Sequence, residues 1–537
     1  MAKEFIQEWK AMIRQRGYLI AVSLTAVLGY GYLWMHPAIN VDDTSMVRYF
    51  YDGLAPQVGR WTLFVLNKIF KIARFSPLIT DFLGVMLMAS GATVFCILLK
   101  RQSGNRLHPM VYPAFSCLMI SYPLIYEVYT YYLHNGIGLA YLLTMLALYM
   151  AWESKSWKCW IPVGFLVSAA ISCYESFATV YLLGIFLCIM VRLVMTEEKM
   201  GFVPYVKMVI WHVIPVAVGM VLRTVICRGL LFALGLEPIM RSVGGSVRWI
   251  ISSDALNILM TMVKTFARYY VLNGVANLSI ALFLIAMVIM VVYSIICAVK
   301  AKKWLILLNG IAVIVSPWLI SFIQGQVGIY RSMQALPLFV AFCIVLLLDR
   351  LLRAKRFWAK MTAGFLLIVV LYNQVFELNH WFYVDYLCYE EDVRRCDNIA
   401  LDIARQATLD KPIVFIGKWK DSGILEKYAY VEEDRLAYTI LAKVDDMFGR
   451  SGDDGEKKQY AVVQNPVWYP MFDWAVDAFD EPGTELIQFF RMNGYALLMP
   501  ETSMKENALI LAETMAVWPK EGSVLEMEDY VIVKLGE

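Results

Sequence analysis

The chain has 537 residues, of which 60% are hydrophobic and 17% charged, and its mean hydropathy is +0.58. Ordinary soluble domains carry roughly 45–50% apolar and about 25% charged residues, so the surplus apolar surface must face something other than water. This excludes a disordered chain, a collagen and a nucleic-acid-binding protein, and it points to a polytopic membrane protein.

The formal charge of +3 hides a division. The first 378 residues hold 32 basic and 15 acidic side chains, net +17; from Asn379 onward there are 16 and 30, net −14. We therefore expect a transmembrane domain over 1–378 and a soluble α/β domain over 379–537.

Apolar stretches of spanning length, at about 20 residues each, fall at 18–36, 78–99, 110–127, 132–152, 158–173, 176–195, 207–227, 273–298, 304–323, 333–349 and 361–378. They predict about eleven transmembrane helices. The first is followed by many more, so it reads as an anchor and not a cleaved leader. With the N-terminus cytoplasmic, the turns carrying Arg101 and Arg106, Lys155 and Lys158, Arg192 and Lys199, Lys300 to Lys303, and Arg350 to Lys360 fall on the cytoplasmic side, as the bias of lysine and arginine requires. An odd number of spans then places the acidic tail outside the cytoplasm. The expected location is a cell membrane, crossed many times.

The opposite face collects the 37–77 loop, the aromatic turn from Tyr126 to Tyr132, the Cys173-Tyr174-Glu175 turn, the 228–272 segment and the 324–332 loop. Val58 to Phe75 and residues 247–268 have apolar residues at helical spacing and suit helices lying in the interface plane, or short loop helices packed on the bundle. In the tail, Asp392 to Ala407 reads as a helix, Pro412 to Gly417 as a buried strand, Asp445 to Lys458 as an exposed loop, Glu485 to Asn493 as a helix and Tyr530 to Lys534 as a strand. Of ten cysteines only Cys388 and Cys396 fall in the tail, where an exported domain admits a disulfide between them.

There is no phosphate-binding loop, dinucleotide fingerprint or zinc-protease motif, so chemistry belongs on the outer face. The sharpest feature there is Asn40-Val41-Asp42-Asp43. One of two adjacent carboxylates can deprotonate a hydroxyl, or the pair can hold a divalent cation near a phosphate. Equally, the pair can be a helix cap plus a solvated charge. Arg60 and Arg331 stand where a guanidinium can grip a lipid phosphate or anchor the interface. Glu127 and Glu175 sit at span ends amid aromatics, where acids are costly and often functional. Tyr126, Tyr129, Tyr131, Tyr132 and Trp61 suit an aromatic belt or a sugar-stacking surface. His36, His134 and His380 form no ligand set.

Asp42-Asp43, Gly59-Arg60-Trp61, Ser172-Cys173-Tyr174-Glu175-Ser176, Arg331-Ser332-Met333-Gln334-Ala335-Leu336-Pro337, Asn373 with Glu377, Asp397-Asn398, Pro412 to Gly417 and Trp518 to Ser523 together carry a resemblance. The chain resembles the serotype-converting bacterial glucosyltransferases, a polytopic family grouped with the GT-C glycosyltransferases. The family more often has glutamine where Glu175 stands. The resemblance implies a GT-C-like fold and an inverting transferase that uses a polyprenyl-phosphate-linked hexose, typically glucose. The acceptor is a cell-surface polysaccharide or lipid-linked glycan. On that reading Asp43, ahead of Asp42, is the expected base, and Arg331, Arg60, Glu175, Glu127, Tyr174 and Trp61 the expected substrate-binding residues. A polyprenyl-phosphate-glucose synthase and a flippase are the implied functional partners. A polysaccharide ligase or polymerase, and a lipid-linked glycan transporter, are the competing readings.

Overall fold

The computed structural model describes residues 2–41, 43–44, 53–74, 76–130, 136–196, 200–239, 247–267, 270, 278–328, 330–419, 471–476 and 484–536. Among the described residues, each of the eleven apolar stretches overlaps a helix or a helix pair. Eight helices among the described residues are long and apolar enough to cross a membrane, or nine if a bent pair counts as one span. The other two, Trp157–Cys173 and Leu336–Leu352, are shorter. Leu336–Leu352 has 17 residues, about 26 Å at about 1.5 Å per residue, and is buried along almost its whole length. Outer faces elsewhere are apolar and exposed, as at Leu19, Leu24, Val27, Phe365, Ile368 and Phe376. Side chains of this kind facing outward belong in lipid, and the chain is a membrane protein.

Two breaks shape the end of the bundle that matters here. Val111–Ile120 and Pro123–Tyr129 meet at 41°. Pro123 has no N–H to continue the ladder, and Tyr122 before it is pushed to an extended ψ of 118°. The Tyr30 hydroxyl donates to the carbonyl of Ile120 at 2.7 Å, which satisfies a backbone group that the break frees. Near the second break, Leu305–Val315 and Leu319–Gln324 are joined by a 3₁₀ turn at Ser316-Pro317-Trp318.

The basic turns gather at one end. Arg101 Nε donates to Glu8 of the Ala2–Ile13 helix at 2.9 Å and its Nη1 contacts Glu153. Arg106 donates to the Met195 carbonyl at 2.6 Å, and the N–H of His108 to Asp349 at 2.8 Å. The turns at residues 40–41, 43–44, 127–130, 174–175 and 331 make up the other end.

The proposed interfacial segments are shorter than expected. The first is a helix over Trp61–Phe70, stopped by Lys71 in the left-handed region, with Trp61, Leu63 and Phe64 buried. The second is Ala255–Phe266, which buries Met262 and exposes Leu256, Leu259, Met260 and Val263 along one stripe.

Helix Phe357–Gln406 runs 50 residues without interruption, about 75 Å at about 1.5 Å per residue, so residue 379 falls inside it. Beyond it the described tail residues form a three-stranded sheet in the order β1 (Ile413–Ile416), β3 (Val531–Lys534), β2 (Val524–Glu526). β1 and β3 are parallel, with Ile413 opposite Val531; β2 is antiparallel to β3. Helices Thr484–Met492 and Thr502–Ala512 accompany the sheet. Strands β1 and β3 fall where the pattern put them, β2 and Thr502–Ala512 were not anticipated, and the 445–458 loop lies outside the described residues. Val41 packs into the tail core with Cys396, Ile399, Phe415 and Phe472, and Thr44 Oγ1 donates to Glu485. The tail therefore docks on the chain that follows the helix Arg16–Met35.

The disulfide expectation is corrected. Cys388 and Cys396 are both free and buried, eight positions apart on one unbroken helix. That spacing is about 12 Å at about 1.5 Å per residue, whereas a disulfide needs Cα atoms within about 7 Å.

Candidate functional site

Four chain segments, each bent away from its helix, deliver charge to one tyrosine. Helix Trp160–Cys173 ends at Tyr174, whose backbone is extended, and the next helix starts after Ser176. Tyr174 and Glu175 are left on the turn between them. Arg60 precedes the Trp61–Phe70 helix, its N–H bonded to the Ala55 carbonyl at 2.7 Å after a turn at Gly59, where φ is +84°. Arg331 sits in the one-turn 3₁₀ helix Tyr330–Ser332, and Glu127 in the short helix that follows Pro123.

The Arg60 guanidinium lies over the Tyr174 ring, 5.3 Å from its centre. Arg60 Nη2 is 3.6 Å from Glu175 Oε2, and Arg223 Nη2 is 2.8 Å from Glu175 Oε1. One carboxylate is thus shared by two arginines. Near the same tyrosine, Glu127 Oε2 accepts the backbone N–H of Arg331 at 2.9 Å, and Oε1 lies 3.9 Å from Arg331 Nε. Gln334 Nε2 donates to the Arg331 carbonyl at 2.8 Å, and the Tyr141 hydroxyl donates to the Gln334 carbonyl at 2.7 Å, which fixes that turn. Burial pushes the Tyr174 phenol above its ordinary value; Arg60 and Arg331 pull it down, Glu175 and Glu127 push it up. All four charges therefore act on one hydroxyl, which stays a neutral hydrogen-bond donor near pH 7.

The structure brings five of the expected residues together: Arg60, Glu127, Tyr174, Glu175 and Arg331. Asp43 stands apart and is fully buried, so it is not a solvated charge. Its Oδ2 accepts the N–H of Asn40 at 3.0 Å, Asn40 Nδ2 donates to the Thr130 carbonyl at 2.8 Å, and Thr130 Oγ1 donates to the Glu127 carbonyl at 3.0 Å. A chain of hydrogen bonds thus ties Asp43 to the Glu127 helix. Asp42, Tyr131, Tyr132 and His134 lie outside the described residues.

Two expectations change. The Trp61 ring is buried between helices, its Nε1 donating to Ser168 Oγ at 3.3 Å and its face against Phe165. It packs the bundle here and offers no open stacking surface. Tyr126 and Tyr129 likewise pack inward, against Trp381 at 4.8 Å and Tyr30 at 5.3 Å. Among the described residues no three His, Cys, Asp or Glu side chains gather as a metal site needs, and Asp43 already accepts from Asn40. Asp42, the other acid of the pair expected to hold a cation, lies outside the described residues.

Arg223 is the site residue that pattern reading passed over. It lies in the 33-residue helix Phe202–Leu234, where it seemed only to weaken a span. A methyl group at Gly219 would sit 2.9 Å from the Gly164 carbonyl oxygen, so the helix approaches Trp160–Cys173 at a contact only glycine permits. One turn further on, that approach delivers Arg223 to Glu175. The available signal was an arginine in an apolar helix, four residues after a glycine.

The family model described as Glucosyl transferase GtrII matches residues 31–375. No curated protein and no solved structure matches the chain. The matched region is well over half of the 537 residues and contains Arg60, Glu127, Tyr174, Glu175, Arg223 and Arg331: the chain belongs to the GtrII glucosyltransferase family.

Proposed function

We propose that this membrane glucosyltransferase takes a hexose, glucose in the first instance, from a polyprenyl-phosphate-linked donor at the outer face of the membrane. It passes the sugar to a cell-surface polysaccharide or lipid-linked glycan, with inversion. The observation that carries this reading is the pairing of arginines and glutamates around Tyr174, at the bundle end opposite the basic turns. A phosphate-linked sugar needs no nucleotide site, and its phosphate is already a leaving group.

In this reading Arg331, with Arg60, holds the donor phosphate and stabilises the charge that builds on it as the bond to the sugar breaks. The acceptor oxygen attacks the anomeric carbon in one displacement. The electron pair of the old bond leaves on the phosphate, and the acceptor proton passes to a carboxylate, Asp43. Tyr174, neutral near pH 7, offers its hydroxyl as a hydrogen-bond donor beside these charges. A synthase that loads glucose onto polyprenyl phosphate and a flippase that turns the product outward would supply the donor.

The test is transfer by purified protein from polyprenyl-phosphate-glucose to membrane glycolipid extract. Transfer is expected with wild type, and a clear fall with Arg331→Lys, which keeps charge but loses the fork of donors. Transfer from a nucleotide sugar but not from the lipid-linked donor would overturn the donor class. A well-folded Arg331→Ala protein working at the wild-type rate would remove Arg331 from the phosphate.

A further inference from the structure

We propose that Arg60 and Arg223 form an anion cradle in which the Glu175 carboxylate stands in for a phosphate, and that a phosphate-bearing ligand binds by displacing it. The inference rests on the reading of the site as a sugar-phosphate transferase, but it concerns binding and needs no turnover.

The two arginines are held independently of the glutamate. Arg223 Nε donates to the Gly59 carbonyl at 2.9 Å and its Nη2 reaches the Val58 carbonyl at 3.4 Å. A Cβ at Gly59 would lie 2.5 Å from Arg223 Nη2, so a side chain there would displace the guanidinium from its present seat. Arg60 is seated on the Tyr174 ring and follows the same turn. Their side chains are 11% and 19% exposed, whereas that of Glu175 is 39% exposed. The donors are fixed, and the acceptor is the member of the trio that can turn out to water.

Charge and shape point the same way. Two guanidinium groups meet one carboxylate, which leaves one positive charge uncompensated within the trio. A phosphate offers more oxygens and more charge to the same forks than a carboxylate does. The partner glutamate Glu127 cannot be exchanged in this way, because it is buried and accepts a backbone N–H. Met220, one turn before Arg223 on the same helix face, is an exposed apolar residue. That suits a phosphate carried on a hydrocarbon chain.

The experiment titrates full-length protein in detergent micelles with two probes, a polyprenyl monophosphate and inorganic phosphate, and reads binding by tryptophan fluorescence. Glu175→Gln should tighten binding of the polyprenyl probe by about tenfold, because the competing anion is gone. Arg223→Ala should weaken it by about tenfold or more, and the double variant should lose the gain. Gly59→Ala, which crowds Arg223 without removing charge, should mimic Arg223→Ala, and Arg223→Lys should recover part of the affinity. A gain with both probes assigns the cradle to any phosphate; a gain confined to the polyprenyl probe assigns it to the lipid headgroup. Glu175→Gln binding no tighter than wild type would overturn the proposal, since Glu175 would then be a strut for the arginines. Sugar transfer without the Glu175→Gln gain sinks the cradle alone. The gain without transfer from the lipid-linked donor sinks the reading of the reaction and leaves the cradle standing.

Discussion

Glu127 and Glu175 face arginines across the same tyrosine, yet they are different kinds of pair. The Glu127 side chain is 4% exposed, accepts a backbone N–H and belongs to a helix pinned by Thr130 and Asn40. The Glu175 side chain is 39% exposed, lies on a turn and, among the described residues, bonds to guanidinium groups that have carbonyl or ring partners of their own. A buried carboxylate cannot leave without stranding its partners, while a half-exposed one can trade them for water. One side of Tyr174 is scaffold, and the other is exchangeable.

The largest expected effect tests the scaffold side at its far end. Asp43→Asn keeps size and most hydrogen bonding but removes the proton acceptor. If Asp43 is the base, transfer should fall by about 10²–10⁴-fold while size-exclusion in detergent stays normal. A drop of only a few-fold would pass the role to Glu127 and leave Asp43 as a brace for Asn40. The same assay with EDTA separates base from metal ligand: loss of activity on chelation would shift the role of the Asp42–Asp43 pair towards holding a cation.

Next in size is the removal of the fixed glutamate. Glu127→Ala leaves the Arg331 N–H and guanidinium beside an emptied site and should cost about 3–5 kcal/mol, the usual penalty for breaking a buried pair. Denaturant or thermal unfolding in detergent would show it. A loss below about 1 kcal/mol, typical of exposed pairs, would erase the distinction between the two sides. Gly219→Leu should act on the exchangeable side from a distance. The side chain would press on the Gly164 carbonyl and push Arg223 away, at about 1–3 kcal/mol for overpacking. Donor KM should rise more than kcat falls; the reverse split would show that Arg223 serves the chemical step and not binding.

How much of this was legible without coordinates depends on distance along the chain. Apolar spans announce themselves by composition, and lysine and arginine placed the turns of Arg60, Glu127, Glu175 and Arg331 on one face. That is why five expected residues converge even though Glu127 and Arg331 are 204 positions apart. No local pattern states which acid meets which arginine. Asp43 could equally be read as a solvated cap because what surrounds its turn is distant in sequence: its neighbour Thr44 contacts Glu485, 441 positions away, and Asn40 bonds to the Thr130 carbonyl. Trp61 looked like a free aromatic because Ser168 and Phe165 are distant in sequence. Arg223 was missed because a charge in an apolar helix counts against a span until a glycine contact shows what it reaches.

The smallest expected effect is the most discriminating one. Glu175→Ala removes a carboxylate that two arginines share, and by counting contacts alone it should cost more than Glu127→Ala, which frees one. Exposure predicts the opposite order. Pairs this accessible to water are worth about 0–1 kcal/mol, and both guanidinium groups keep other partners: the Gly59 and Val58 carbonyls for Arg223, the Tyr174 ring for Arg60. Unfolding of Glu175→Ala should therefore shift by no more than about 1 kcal/mol, well short of the loss at Glu127. Raising the salt concentration should shrink even that difference, because screening weakens exposed pairs and leaves buried ones almost untouched. If Glu175→Ala instead destabilises as much as Glu127→Ala and does so at all salt concentrations, the carboxylate is a strut. Both sides of Tyr174 would then be scaffold, and a donor phosphate would have to be held by Arg331 without help from the Arg60–Arg223 pair.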